Sequence, residues 1–229
     1  MFNLFKKKPP PTSSTESKPG TASQIVPRIK HINFLVAVKP VLAQLAAAGG
    51  DPTTQAPVTR PLVGDLIVSY SFDTPTQFIS VTHQSMDDLG LNADSLHEVA
   101  INNLLTLVGS SVTVQDLHLY QAIATGGDLE ACLLLLPALW ETLSKKFSGE
   151  LLAVVPSRNT ILFMDSHHQV QAGGSTLSAM QILDLMCSAA SATRKESTNH
   201  GLSENILAWR NSSWQACGTL SSHSSSLSA

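Results

Sequence analysis

GELLAVVPSRNTILFMDS, residues Gly149–Ser166, is the stretch whose reading decides the fold class of this 229-residue chain. Leu151 to Val155 and Thr160 to Met164 are apolar runs of strand length, and Pro156-Ser157-Arg158-Asn159 between them has the composition of a turn. Two such runs on so short a link predict a central antiparallel hairpin. Its polar tip is the first place to look for a site, because exposed connections carry function more often than sheet cores do.

Working outward, Asn205 to Gly218 reads as two short strands around Asn211-Ser212. A two-residue turn there sets Trp209 opposite Trp214. Upstream, Asp65 to Phe72 and Gln77 to Thr82 read as strands, with Asp73-Thr74-Pro75 as the turn between them. Val112 to Asp116 and His118 to Ala124 add two more. Val26 to Val38 reads as a strand with Pro27 near its start, where a missing donor is tolerated. Pro40 to Ala48 reads as a helix closed by Gly49 and Gly50, and the proline-rich Asp51 to Pro61 as a loop.

Further helices are expected at Gln84 to Leu89 and at Asn92 to Val108, where Leu96, Ala100, Leu104 and Leu107 recur at helical spacing. Another follows Thr125-Gly126-Gly127 with Asp128 as its N-cap, breaks at Pro137 and resumes from Ala138 to Phe147. The last, Ser175 to Arg194, turns Leu177, Met180, Leu183, Leu185 and Met186 toward a sheet. Hairpins interspersed with helices predict an α+β fold with a mixed, largely antiparallel sheet, not a doubly wound parallel one.

Composition bounds the rest. The hydrophobic share is 43% and mean hydropathy is +0.10, enough for one cored domain over residues 25–220. Residues 1–24 are rich in Lys, Pro, Ser and Thr, residues 221–229 in Ser, and both tails are expected to be disordered. A net charge of -3 and a pI near 6.2 argue against a nucleic-acid partner. Cys132, Cys187 and Cys217 are odd in number and widely spaced, which suggests buried reduced thiols in the cytoplasm. No apolar run approaches the ~20 residues of a transmembrane helix. The N-terminus places its lysines after its few apolar residues, unlike a signal peptide, and Phe2 excludes myristoylation.

The hairpin segment resembles the signature of the YtpQ-like bacterial proteins, a family defined by a domain of unknown function. IVPRIKHINF (Ile25–Phe34), GDLIVSYSFDTPTQFISVT (Gly64–Thr82), LHEVAINNLLTL (Leu96–Leu107) and the GGDLEACLLLLPALW stretch ending at Trp140 resemble the same family in the same order. The resemblance covers most of Ile25 to Trp214. It departs at the front, where family members carry more folded sequence and this chain has its polar tail. It implies a bacterial, cytoplasmic protein and brings no catalytic residues with it.

Candidate chemistry is sparse. Arg158, between Ser157 and Asn159, is placed to grip an anion or a partner's carboxylate, and the plainer reading is a solvated turn. Gly126-Gly127-Asp128 precedes a helix start that could hold phosphate, but Asp128 and Glu130 put carboxylates there and favour capping. Asp165 with His167 and His168 invites a metal reading. Adjacent histidines on a strand point to opposite faces, however, and no further paired ligand is nearby, so no metal and no cofactor are expected. No GxSxG motif is present, and Cys132 among leucines has a poor context for a nucleophile.

The chain is therefore expected to be a non-catalytic interaction or accessory module with a protein partner. One alternative is a small-ligand binder or enzyme with its site near residues 156–159, Asp165 and Asp128. Another is a membrane-surface protein held by Phe2, Leu4, Phe5 and Lys6 to Lys8.

Overall fold

A computed structural model of the chain describes residues 20–74, 77–172, 174–197 and 201–224. In the first sheet the central strand β3 (Leu66–Asp73) pairs on one side with β1 (Ile25–His31). Its other side is shared by β2 (Thr59–Val63) and β4 (Phe78–Ser80). The second sheet is six-stranded and contains β5 (Thr113–Asp116), β6 (Gln121–Ala124), β7 (Leu151–Ser157) and β8 (Thr160–Asp165). It is completed by β11 (Asn205–Arg210) and β12 (Ser213–Thr219), in the order β12-β11-β7-β8-β6-β5. A separate small hairpin joins β9 (Val170–Ala172) to β10 (Ser175–Leu177). All pairings are antiparallel, and the helices are α1 (Asn33–Ala47), α2 (His83–Asp88), α3 (Ala93–Val108), α4 (Pro137–Ser144), α5 (Ala179–Glu196) and α6 (Leu220–Ser224). The fold is α+β.

Alternation along β7 explains why its sequence is apolar throughout. Leu151, Ala153 and Val155 face the main core shared with the first sheet, whereas Val154 faces α5. Ile161 and Phe163 of β8 divide from Leu162 and Met164 in the same way. A strand covered on both faces cannot show a polar face, so the two runs read as continuous apolar segments.

Between the sheets lies the 3₁₀ segment Glu130–Leu135, every residue of which is buried. Trp140 of α4 is fully buried beside it and donates from Nε1 to the Leu133 carbonyl at 2.7 Å. Its ring meets Phe163 and Trp214 edge-on, with centroids 5.8 and 4.9 Å away. Asp65, in the turn between β2 and β3, accepts from Ser203 Oγ at 2.6 Å and from the Glu204 N–H at 2.8 Å, a polar tie from one sheet to the other.

The two-residue turn at Asn211-Ser212 forms with φ of 49° and 57°, the left-handed pair that suits a tight hairpin, and Trp209 faces Trp214 across it. Asn92 caps α3 by accepting from the Asp94 and Ser95 N–H groups. Pro137 opens α4 at its first turn, where it has no bond to break.

Several elements differ from expectation. The predicted strand Val26 to Val38 ends at His31: the Ile32 N–H donates to the Asp65 carbonyl, the Asn33 N–H donates to His31 Nδ1, and a helix follows. Pro40 therefore lies inside α1 and does not start it. Val36 and Val38 favour strand locally, but among the described residues no strand pairs with this segment.

Ser175 to Leu177 pairs with β9, and α5 begins only after Ser178, whose side chain accepts from the Gln181 N–H. Met180 is thereby exposed, and so is Leu107 of α3, the stripe being completed by Val108. The loop expected through Pro61 gives its last residues to edge strand β2. His118, at φ 70°, belongs to a turn ahead of β6.

The tail boundaries also shift. Ala22–Gln24 form a 3₁₀ turn to which Asn103 Nδ2 is anchored through the Ala22 and Ile25 carbonyls, and residues 221–224 belong to α6. Residues 1–19 and 225–229 of the tails, and Pro75 of the expected turn, lie outside the described residues.

Replacing Trp140 by Ala leaves a large void at the meeting of the sheets. It is expected to lower unfolding free energy by about 3–5 kcal/mol. Urea denaturation of the variant at unchanged m-value measures this.

Candidate functional site

β1 carries Arg28 and Lys30 two residues apart, and alternation puts both on one face of the strand. That face borders a cavity of about 440 Å³ where the two sheets meet. The first turn of α1 closes one side of it, the segment around Asp128 a second, the β7–β8 tip a third, and the end of α5 the fourth. Four cationic side chains line this cleft: Arg28, Lys30, Arg158 and Arg194. Asp128 is the one carboxylate lining it among the described residues.

The cations are not equivalent. Arg28 is 6% exposed and grips Asp128 with both terminal nitrogens, at 3.3 and 2.9 Å. Its guanidinium also lies over the Phe78 ring, 4.1 Å from the centroid. Arg194 pairs with Glu204 at 2.8 Å and donates from Nε to the Leu202 carbonyl. Arg158 shares Asp128, its Nε 3.6 Å from Oδ2. Lys30 makes no salt bridge among the described residues. Burial, and then repulsion from Arg28 and Arg158, push its pKa below the ordinary 10.5. Asp128 is held below its usual range, chiefly by the hydrogen bonds from Arg28.

Of the residues named from the sequence, Arg158 and Asp128 are brought together here. Asp128 does not cap a helix, because the chain after it forms the buried 3₁₀ segment and its carboxylate is turned to the two arginines. Ser157 is buried at the end of β7. Its Oγ donates to Asn159 Oδ1 at 2.7 Å and lies 3.0 Å from Thr160 Oγ1, so Ser157 and Asn159 shape the turn. The tip is not a free loop: the Arg158 carbonyl accepts from the Ala131 N–H at 3.0 Å, and the Pro156 carbonyl accepts from the Leu202 N–H.

Asp165 lies at the opposite end of β8, ~17 Å along the strand from the tip. Its carboxylate accepts the N–H groups of Ser148, Gly149 and His167. Burial opposes its charged form, but those hydrogen bonds outweigh it and the pKa falls. Among the described residues no three His, Cys, Asp or Glu side chains gather as a metal requires.

Arg28, Lys30 and Arg194 were not singled out from the sequence. The first two were legible as a pair of cations at i and i+2 in an otherwise apolar strand, a spacing that costs too much unless both meet a polar cavity. Arg194 had no such signal. Cys132 also lines the cleft; burial pushes its thiol up to about 11, and its Sγ–H donates to the Pro27 carbonyl at 3.2 Å. Cys187 is likewise buried, with its pKa pushed up to about 12, whereas Cys217 is exposed, contrary to the expectation of three buried thiols.

Compared with family models, with curated proteins and with solved structures, the chain finds no match.

Asp128→Ala strips the buried Arg28 of its counter-charge. The loss expected is about 1–3 kcal/mol, less than for a fully buried pair because Asp128 stays partly in water. Because the Asp128 pKa is depressed in the folded chain, this contribution is complete above the ordinary value of 3.8 and is lost as pH falls through the lower, folded value. Stability of wild type and variant measured from pH 7 downward should therefore converge only in acid.

Proposed function

We propose that this protein is a non-catalytic binding module whose cleft takes the anionic group, carboxylate or phosphate, of a small ligand. The observation that carries this reading is the imbalance of charge around the cavity: Arg158 and Lys30 face it with only Asp128 between them, and Asp128 is already engaged by Arg28. A cavity of this size, lined about equally by polar and apolar surface, suits a polar metabolite-sized molecule. The Phe34 ring, 5.6 Å from the Lys30 ammonium, offers an apolar face beside the charge.

Binding is favoured over catalysis because Cys132 is a protonated thiol near neutral pH and its hydrogen is already donated. Membership of the YtpQ-like family, a bacterial source and a cytoplasmic location are part of the same proposal. They rest on the resemblance and on the free thiols.

Titration calorimetry with inorganic phosphate, pyrophosphate, citrate and a nucleoside triphosphate tests it. At least one should bind, and Arg158→Ala and Lys30→Ala should each weaken it roughly tenfold, the equivalent of one good charge-assisted contact. Affinity should hold near neutrality and fall as pH rises toward Lys30's lowered pKa, earlier than an ordinary lysine would dictate. Absence of heat with all four anions, or equal binding by both variants, would sink the reading.

A further inference from the structure

Lys30 and Arg158 carry the donors that the cleft leaves unused. Among the described residues Lys30 Nζ has no hydrogen-bond acceptor and meets only the face of the Phe34 ring, 5.6 Å from its centroid. Arg158 comes nearest to Asp128 with Nε, at 3.6 Å, which is longer than a hydrogen bond. Its terminal nitrogens donate to no acceptor among the described residues.

Few groups set the charge here. Three cations, Arg28, Lys30 and Arg158, stand against the one carboxylate of Asp128, a local excess of two positive charges. Arg194 adds none, because Glu204 pairs with it at 2.8 Å, and His31 faces Asp65 at 3.5 Å. A monoanion matches half of that excess and a dianion all of it. The number of acceptors points the same way. An arginine fork takes two oxygens of one group, so a carboxylate has no third oxygen for Lys30, whereas a phosphate monoester does. The first turn of α1 lines the same cleft, and the positive end of its dipole favours the more highly charged group. At about 440 Å³ the cavity lies in the range of small organic ligands, and Phe34 and Ala37 line the part that would meet the organic body.

We infer that the ligand is a small phosphomonoester, its dianionic terminal phosphate held between Lys30 and Arg158, an inference that rests on the anion-binding role proposed for the cleft. A molecule whose only anionic group is a carboxylate fits less well on both counts, charge and oxygens.

Titration calorimetry of the full chain with phenyl phosphate, phenyl sulfate and benzoate tests this, because the three share one body. At about pH 7.5 phenyl phosphate is a dianion, its second pKa lying near ~6. Phenyl sulfate keeps the three terminal oxygens with a single charge, and benzoate has two oxygens and a single charge. Phenyl phosphate should bind roughly tenfold more tightly than phenyl sulfate, and benzoate no more tightly than the sulfate. Coulomb energy is proportional to ligand charge, so removing one cation should weaken the dianion about tenfold and a monoanion about threefold. In Lys30→Gln and in Arg158→Gln the preference for phosphate should therefore shrink to about threefold. Arg158→Lys, which keeps the charge, should hold it near roughly tenfold. Circular dichroism must match wild type for each variant, and the wild-type series decides by itself where a variant does not fold. Equal affinity for the three probes, or benzoate ahead of phenyl phosphate, overturns the inference and leaves the anion-binding reading standing. A full preference that survives both glutamine variants does the same, as does binding of citrate or pyrophosphate with none of the phenyl probes. Failure of all five anions to bind removes the reading and the inference together.

Discussion

A guanidinium held at 6% exposure has to be met by a carboxylate, and the demand of Arg28 for Asp128 organises the joint between the two sheets. Such a pair is poor evidence of stability in itself, because desolvation consumes most of its Coulombic attraction. Its value is geometric. Satisfying both forks of Arg28 fixes the chain at Asp128 and so aims the 3₁₀ segment Glu130–Leu135 into the space between the sheets. Once there, the Ala131 N–H reaches the Arg158 carbonyl and Cys132 reaches the Pro27 carbonyl, which lock the hairpin tip and β1 to the same segment.

The cleft follows from that joint. Asp128 is shared by Arg28 and Arg158 and lies close to Lys30, so one carboxylate stands against three cations. The side chains that remain polarised toward the cavity are those without a carboxylate of their own. The depressed pKa of Lys30 fits this: a half-buried ammonium, partly desolvated and beside two guanidiniums, is a group that an incoming anion would relieve. Asp165 takes no part, since three backbone N–H groups already consume it at the far end of β8.

What the sequence disclosed was local, and what it withheld was long-range. The arms of the β7–β8 hairpin, the Trp209–Trp214 pair and the cap of α3 are written in neighbouring residues and were legible. Ser157, Arg158 and Asn159 were legible as a turn, but Arg158's link to Asp128 was not, since nothing near either residue announces the other. The reading of Asp128 as a cap failed because a local preference was outbid by Arg28. The second half of α1 reads correctly as a helix from Pro40, whereas its first half reads as strand because Val36 and Val38 favour one locally. Helix α5 was started early because Leu177 fits both a helical stripe and a short hairpin.

Arg28 and Asp128 are 100 residues apart in the chain, and Arg158 and Arg194 lie farther along still. A cleft assembled from such distant segments has no precursor in any local piece of structure. It is complete only once all four segments have been brought together, each meeting closing a long loop of chain. Any ligand that occupies it acts on the finished joint alone. It would hold the sheets together by slowing their separation and leave the rate of their first encounter unchanged.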